Sequence, residues 1–459
     1  MGCIIHQSVN WCNTCLDVRN ARLEARRCSY DVSLIRNRDR PFYLESMSAT
    51  PANPALQSTN RGFAPPVAGT PRRLRAIYAL DDFERAAKRH LPRPVFAYVS
   101  TASEDKRALR DNRAAFDDYA LTTRVLVDVS HRQQSVELFG QTWAHPFGIA
   151  PMGLSALSAY RGDIVQAQAA RAAGIPMILS GTSLIRLEDV IAAAPGTWFQ
   201  AYVPGDQTRI DALLDRVAAT GYRTLVVTVD VPVAGNRSNS TREGFSTPLR
   251  PSLRLAYDGL THPRWLLGTF VRTLLLHGMP HFENSFAERG APVLAPEVLR
   301  DFAARDNLSW QHLGRMRKRW QGALIVKGIL HADDARLARE HGADGVIVSN
   351  HGGRQLDHAI ASLRVLPEVV AAAGGMPVMI DGGIRRGTDV IKALALGAKF
   401  VFVGRPFNYA ASIAGQAGVT HAIHLLRDEI DRNMALMGAT SCADLNRAML
   451  APRDTGDTE

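Results

Sequence analysis

The sequence predicts an α/β fold: a closed (β/α)8 TIM barrel with a long insertion after its fourth strand and a disordered N-terminal extension. Three observations lead there. From Phe147 onward eight short apolar runs recur, FGIAPM, PMILSGT, TWFQAYV, TLVVTVD, ALIVKGI, GVIVSNH, PVMIDGG and KFVFVGRP. Between them lie Ala-, Leu- and Arg-rich stretches with helical spacing, such as GDIVQAQAARAAG and GTDVIKALALGA. Nearly every apolar run ends in a polar or glycine-rich group. Near-continuous apolar strands alternating with helices are parallel strands covered on their outer face. Eight such units match a barrel, which needs about 250 residues before insertions. A doubly wound sheet is the rival, but no GxGxxG follows the first strand.

The part before the barrel has a different composition. Residues 1–75 hold eleven Arg, no Lys and five acids, a charge of +6 out of the chain's +10. The remaining 384 residues therefore carry only +4, which is no nucleic-acid footprint. Residues 48–72 are rich in Pro, Ala, Ser and Thr and bury too little apolar surface to offset chain entropy. We expect 1–75 to be disordered and 1–46 to be an upstream artefact, with Met47 as the start. The barrel is expected over 76–450, with its insertion at 246–310 inside the long Val231–Gly322 connection, and a tail over 451–459.

Cysteine usage and hydropathy narrow the setting. Cys3, Cys12, Cys15 and Cys28 fall in the extension and only Cys442 lies beyond it. A body with one cysteine has no disulfide framework, which fits a reducing, cytoplasmic compartment. Cys12 and Cys15 have metal-ligand spacing, but no second pair completes four ligands, so no metal site is expected. No run of eighteen apolar residues is present to span a membrane.

The strand ends carry the chemistry. Pro151-Met152-Gly153 follows the first run and Ser180 ends the second. Gln200 and Tyr202 lie in the third, Thr228 and Asp230 end the fourth, and Lys327 is in the fifth. The sixth ends in Ser349, His351 and Arg354, the seventh in Asp381-Gly382-Gly383 with Arg385 beyond, the eighth in Gly404-Arg405. In a barrel these ends ring one mouth, where active sites sit. Any one of them alone is more often structural; eight at one edge reverse those odds. Gly382, Gly383, Gly404 and Arg405 suit a phosphate held by backbone N–H groups and a guanidinium. Lys327 would be a buried cation needing an electron-rich partner, and His351 beside Asp230 an oriented base. Together they describe a phosphorylated cofactor with a base and cations to one side of it.

SNHGGRQLD, IVKGI, TVDVP, WFQAYV and DGGIRRGTDVIKALALGA together resemble the FMN-dependent α-hydroxy acid dehydrogenase/oxidase family, which includes glycolate oxidase, lactate dehydrogenases and mandelate dehydrogenase. The similarity covers roughly residues 75–450, and THPRW and LLHGMP in the insertion are most like the bacterial mandelate and L-lactate dehydrogenases. The resemblance implies FMN across the barrel mouth, contacted by Pro151, Met152, Gly153, Ser180 and Ser349. Its pyrimidine edge would lie near Gln200, Thr228 and Lys327, its phosphate near Asp381–Arg385, Gly404 and Arg405. Tyr98 and Arg354 would bind the substrate carboxylate, with Arg237 matching a further active-site arginine. Tyr202 would donate to the substrate hydroxyl or the developing carbonyl oxygen. His351, supported by Asp230, would accept either the α-carbon proton or the hydroxyl proton.

Some positions depart from that family. Asn236–Arg242 keeps Arg237 but lacks the acids that follow it in many members, and Thr182 stands where glycolate oxidases have tryptophan. Gly153 matches the dehydrogenases, where the oxidases have alanine. Residues 260–282 (LTHPRWLLGTFVRTLLLHGMPHF) pair apolar and basic side chains, a composition suited to a lipid interface or to a helix packed on the barrel. The resemblance implies oxidation of an L-2-hydroxy acid, lactate- or mandelate-like, with electrons passed to a quinone or other carrier. It also implies a homo-oligomer, a tetramer, peripheral on the cytoplasmic face of the inner membrane. The alternatives are a soluble oxidase making hydrogen peroxide, another FMN barrel such as an isomerase, and a flavin-binding sensor.

Overall fold

β-Branched and aromatic residues dominate the eight apolar runs, and each run forms a strand in the computed structural model, which describes residues 71–246, 250, 252–295 and 305–453. The strands are β1 (Phe147–Ile149), β2 (Ile178–Ser180), β3 (Trp198–Ala201), β4 (Thr224–Thr228), β5 (Ala323–Ile329), β6 (Gly345–Val348), β7 (Val378–Asp381) and β8 (Phe400–Val403). All neighbours are parallel: β2 to β8 lie side by side in chain order and β8 returns to pair with β1. A bridge between Ile149 and Met177 closes the ring. A (β/α)8 barrel with a long insertion after β4 is therefore the fold.

Alternation along each strand divides the core. Ile178, Trp198, Val226, Ile325, Ile347, Met379, Phe400 and Phe402 fill the barrel interior. The hairpin of Val136–Leu138 with Gln141–Trp143 stoppers the N-terminal end of that interior, with Val136 and Leu138 in the same cluster. Its Phe139 and Trp143 rings meet Trp198 at 5.8 and 6.2 Å. The outward-facing side chains pack under the helices, each of which offers one apolar stripe. The long helical segment Arg405–Met437 breaks at Ala414 and Gly415 and packs on Gly162–Ala172 and Leu80–His90. With its N-terminal end closed, the barrel is open to ligands only at the C-terminal mouth.

The expected extension and start at Met47 concern residues 1–70, which lie outside the described residues. Residues 71–75, assigned to the disordered extension by composition, instead include a 3-10 turn over Arg72–Leu74, with Leu74 buried in the outer core. Past 450, Leu450–Pro452 pairs antiparallel with Tyr119–Leu121 and the Arg453 N–H donates to the Asp118 carbonyl, so 451–453 of the expected tail belong to the packed body; its remainder lies outside the described residues. Backbone pairing holds these few residues, and local composition carries no trace of it.

One packing choice has a pH cost. Asp163, in the first turn of Gly162–Ala172, is fully buried. Burial pushes its carboxyl up to about 7, with the Ser183 hydroxyl and its own backbone N–H offsetting only part. Between 3.8, the ordinary value, and about 7 the folded chain keeps a proton that the unfolded chain has released. Stability therefore falls as pH rises through that window and is flat above it. Asp163→Asn should be more stable than the parent at pH 8 by at least about 1 kcal/mol and so unfold at a higher temperature there, and at nearly the same temperature at pH 4. Parallel pH profiles of the two thermal midpoints would show that Asp163 is ionised in the fold.

Candidate active site

The mouth is a cavity of about 340 Å³, within the range of about 300–1,000 Å³ usual for cofactor and ligand sites. Of the residues singled out from sequence, Tyr98, Pro151, Met152, Gly153, Tyr202, Thr228, Arg237, Lys327, His351, Arg354, Asp381, Gly382, Gly383, Arg385, Gly404 and Arg405 line it. Ser180, Gln200 and Ser349 do not; they are buried around it. The Ser180 hydroxyl donates to Gln200 Oε1 at 3.2 Å, and Ser349 Oγ accepts from Lys327 Nζ at 2.8 Å. Asp230 lies behind His351.

The β4, β5 and β6 ends set the reactive geometry. The β5–β6 register slips between Lys327 and Ile329, at Gly328, whose φ of 109° suits glycine. A Cβ there would lie 2.6 Å from the Asp230 Cβ, so glycine lets the Asp230 side chain pass. His351 follows β6 in the left-handed region, at φ 59°, a conformation uncommon for residues other than glycine. The Ser349 hydroxyl, accepting from the His351 N–H at 3.0 Å, helps hold it. His351 Nδ1 meets the Asp230 carboxylate oxygens at 3.0 and 3.1 Å, and its Nε2 lies 3.3 Å from the Tyr202 hydroxyl. Against a carboxylate Nδ1 is the donor, which leaves the Nε2 lone pair toward Tyr202 and the cavity.

Charge states follow from burial and neighbours. Burial lowers the His351 imidazole below its ordinary value, and Asp230 only partly restores it, so the ring is a neutral base at neutral pH. Burial alone would raise the Asp230 carboxyl, but attraction to His351 when that ring is protonated, the His351 hydrogen bond and then Lys327 take it below its ordinary value. Lys327 feels the same opposition: burial lowers it, and Asp381 and then Asp230 outweigh that, holding it above its ordinary value. Its ammonium lies 3.2 Å from Asp381. Burial pushes the Tyr202 phenol up to about 12, so it remains a hydroxyl donor.

The two loop arginines are fixed by a helix end. Arg354 donates to the carbonyls of Tyr98 and Thr101 at 2.9 and 3.2 Å. Arg405 donates to Val99, Thr101 and Gly352 at 3.1, 2.9 and 2.9 Å. Those of Tyr98, Val99 and Thr101 lie at and just beyond the end of the Arg93–Ser100 helix, where backbone acceptors lack helical partners and the dipole favours cations. The same contacts bring Tyr98 to the cavity, its ring 5.1 Å from the Arg354 guanidinium carbon. Burial, then the charge of Arg237, pushes Arg354 down to about 9. A guanidinium keeps its proton, so that shift marks a place where an anion is favoured.

The walls also fit a flavin. Gln200 Nε2, Thr228 Oγ1 and Asp381 Oδ1 are buried without a hydrogen-bond partner, as expected where a ligand with polar ring edges completes the site. Gly382, Gly383, Arg385, Gly404 and Arg405 together offer backbone N–H groups and guanidinium groups for a phosphate. Arg385 is already steadied by Asp81 at 3.1 Å.

Sequence reasoning missed several groups. Asn112 exchanges two hydrogen bonds with Asn350, at 2.8 and 3.0 Å, behind the Gly382–Gly383 turn. Asp357, quoted only as the end of a motif, accepts from the Asp105 and Ala108 N–H groups and so fixes the start of the Arg107–Ala114 helix. Leu154, Phe282 and Arg305 line the cavity from outside the strand ends. Leu154 adjoins a recognised motif and Phe282 closes the 260–282 segment, but nothing in local periodicity places Phe282 or Arg305 at the cavity.

Residues 87–452 match the family described as FMN-dependent dehydrogenase. An L-lactate dehydrogenase of Yersinia pestis (strain Pestoides F) is 40% identical over 385 residues, 83% of this chain and 100% of that one. Among solved structures, a monotopic membrane protein, (S)-mandelate dehydrogenase, superposes with a TM-score of 0.78 at 37% identity, over 82% of this chain and 100% of that chain. A soluble mutant of the membrane-associated (S)-mandelate dehydrogenase from Pseudomonas putida gives 0.69 at 34% identity, again over 82% and 100%. With its barrel, its base at the mouth and a cavity suited to a flavin, the chain belongs to the FMN-dependent dehydrogenase family and is an oxidoreductase of 2-hydroxy acids.

Proposed function

We propose that this chain oxidises an L-2-hydroxy acid of the lactate or mandelate type to the 2-oxo acid, as a homo-oligomer at a membrane surface, and passes the electrons to a quinone. The observation that carries the chemistry is the Asp230–His351–Tyr202 chain of contacts. Bound FMN supplies the two-electron acceptor. Arg354 and Tyr98, with Arg237 behind them, bind the substrate carboxylate. Arg237 is held there by the Arg354 carbonyl, to which its Nε donates at 3.0 Å. The Tyr202 hydroxyl orients the substrate oxygen, and His351 Nε2 takes a proton. Asp230 then faces an imidazolium, whose charge it stabilises. Lys327 would present a positive charge to the bound cofactor and so favour its reduced, anionic form.

His351→Gln should retain bound FMN while anaerobic flavin reduction by L-lactate or L-mandelate slows by at least ~10²-fold. In the parent the base is present above its lowered pKa, so the reduction rate should be level down to pH 6.5, the ordinary imidazole value, and fall only below it. Unchanged reduction in the variant would remove His351 from the chemistry.

The membrane reading rests on the insertion. No helix among the described residues is long and apolar enough to cross a bilayer. Leu253, Tyr257 and Leu260 share one face of the Leu253–Leu260 helix by their spacing, and all three are exposed, Leu253 at 92%. Leu267, Leu275 and Leu276 are exposed farther along, near the exposed Arg264 and Arg272. Exposed apolar side chains bordered by cations suit an anionic lipid surface, and the apolar set begins before the 260–282 segment singled out from sequence. The likeness to a monotopic dehydrogenase supports the same reading. Gly153 bears on the acceptor: a Cβ there would overlap Thr182 Oγ1, leaving little room for the alanine of the oxidases. The enzyme should sediment with anionic liposomes, and replacing Leu253, Leu275 and Leu276 by serine should release it with activity intact. Reduced enzyme should be reoxidised by a soluble quinone much faster than by oxygen. Rapid peroxide formation by an enzyme that stays in the supernatant would make it a soluble oxidase.

A further inference from the structure

The cations around the cavity are held in two ways. Lys327 and Arg385, assigned above to the cofactor, pair with acids: Asp381 at 3.2 Å and Asp81 at 3.1 Å. The two arginines placed on the substrate carboxylate meet uncharged acceptors. Arg354 donates to the Tyr98 and Thr101 carbonyls. Arg237 donates through Nε to the Arg354 carbonyl at 3.0 Å and through Nη2 to the side-chain oxygen of Gln355. The Asn236–Arg242 stretch that carries Arg237 contains no acid. The charge of Arg237 bears on Arg354 and helps lower its pKa. Two like charges this near each other favour an anion that meets both.

Gln355 is built to hold Arg237 in that state. Its side chain links the loop after β6 to the turn after β4. Nε2 donates to the Asp230 and Val233 carbonyls, both at 3.2 Å, while Oε1 accepts from Arg237. An amide has one donor end and one acceptor end. With the donor end against two carbonyls, the oxygen must face the guanidinium. The backbone is fixed as well: the Gln355 carbonyl accepts from the Ser103 hydroxyl at 2.6 Å, and a Cβ on Gly235 would lie 2.9 Å from the Gln355 Cα. A carboxylate in place of this amide would face two carbonyl oxygens and would neutralise Arg237. Glutamine orients the cation and leaves its charge intact.

We propose that Gln355 is a positioning residue for substrate binding: it fixes the Arg237 guanidinium at the cavity wall and, being uncharged, leaves that positive charge to the substrate carboxylate. This rests on the 2-hydroxy acid reading above and deepens it. Gln355 touches neither substrate nor cofactor and acts through Arg237, so its contribution lies in affinity for the carboxylate and not in the proton transfer at His351.

The test is a double-mutant cycle on the holoenzyme, with Gln355→Leu, Arg237→Leu and the two combined, and Gln355→Glu beside it. Two quantities are read: anaerobic flavin reduction by L-lactate and L-mandelate, and binding of oxalate, a carboxylate that leaves the flavin oxidised, by its perturbation of the flavin absorbance. Gln355→Leu should raise the apparent Kd of all three anions by at least ~10-fold, the scale of a lost hydrogen bond to a charged group, while the limiting reduction rate stays nearly unchanged. Gln355→Glu, the same size but charged, should also weaken all three. In the Arg237→Leu background Gln355→Leu should add less than about 2-fold, because the two side chains act as one unit. The proposal is overturned if Gln355→Leu has its full effect without Arg237, which would make Gln355 a support for the Asp230–Val233 turn. It is overturned equally if the limiting rate falls at unchanged Kd, if Gln355→Glu binds the anions as tightly as the parent, or if neither Gln355 variant retains FMN. If neither hydroxy acid reduces the parent's flavin, the underlying 2-hydroxy acid reading fails and this proposal with it.

Discussion

The site is organised around a concentration of buried positive charge. Lys327, Arg354 and Arg405 lie at one barrel mouth, with Arg237 and Arg305 beside them. Such charges are costly in a low-dielectric setting unless each is met by an acceptor. The protein meets some itself: Asp381 and Ser349 receive Lys327, and the carbonyls ending the Arg93–Ser100 helix receive Arg354 and Arg405. Those contacts take an N-terminal helix that is no part of the barrel and fasten it over the mouth, carrying Tyr98 into position. What remains of the positive potential favours anions, and a cofactor phosphate and a substrate carboxylate are both anionic. Structure and ligand preference therefore have one electrostatic origin.

Within that field, neutral His351 is the exception, and backbone geometry secures it. The register slip at Gly328 makes room for Asp230, and the left-handed turn at His351 aims its ring at both Asp230 and Tyr202. Strain of that kind persists only when surrounding contacts over-determine it. Here Ser349 Oγ accepts from both the His351 N–H and Lys327, tying the base to the cation below it. The Gly353 turn is clamped in its own way: its N–H donates to the Asn350 carbonyl, and a Cβ would lie 2.6 Å from the Leu109 nitrogen. The loop that carries base and arginine is therefore held on one side by the Arg107–Ala114 helix and on others by Val233–Arg237 and Arg405.

That distribution explains what the sequence made legible. The eight strands stand out because buried parallel strands are apolar throughout, and the strand-end residues because the barrel collects them at one mouth. His351, Asp230, Lys327 and Arg354 were readable on those grounds together with the family likeness. Arg305, Phe282 and Asn112 were not. Arg305 and Phe282 belong to an irregular excursion whose return path no periodicity encodes, and Asn112 sits in a helix whose partner, Asn350, is 238 residues away. The same limit accounts for Leu74 and for Leu450–Pro452, where the ordering contacts are tertiary and too short a stretch is involved for a local pattern to show.

The excursion after β4 joins two surfaces that a simple barrel keeps separate. Its outer side presents Leu253, Leu260, Leu275 and Leu276 to the surroundings, and its later part brings Phe282 and Arg305 to the cavity. Trp265 anchors it: the indole N–H donates to the Leu157 carbonyl at 2.8 Å, in the Ser155–Ser158 turn just beyond Gly153 and Leu154. Phe282 and Leu154 then share one apolar cluster with Leu157 and Leu184. A shift of the outer helices is thus felt within a few side chains at the cavity wall, because close-packed interiors transmit displacement and do not absorb it. Whatever the outward face of the insertion meets is therefore coupled to the cavity, since the same excursion also supplies part of the pocket.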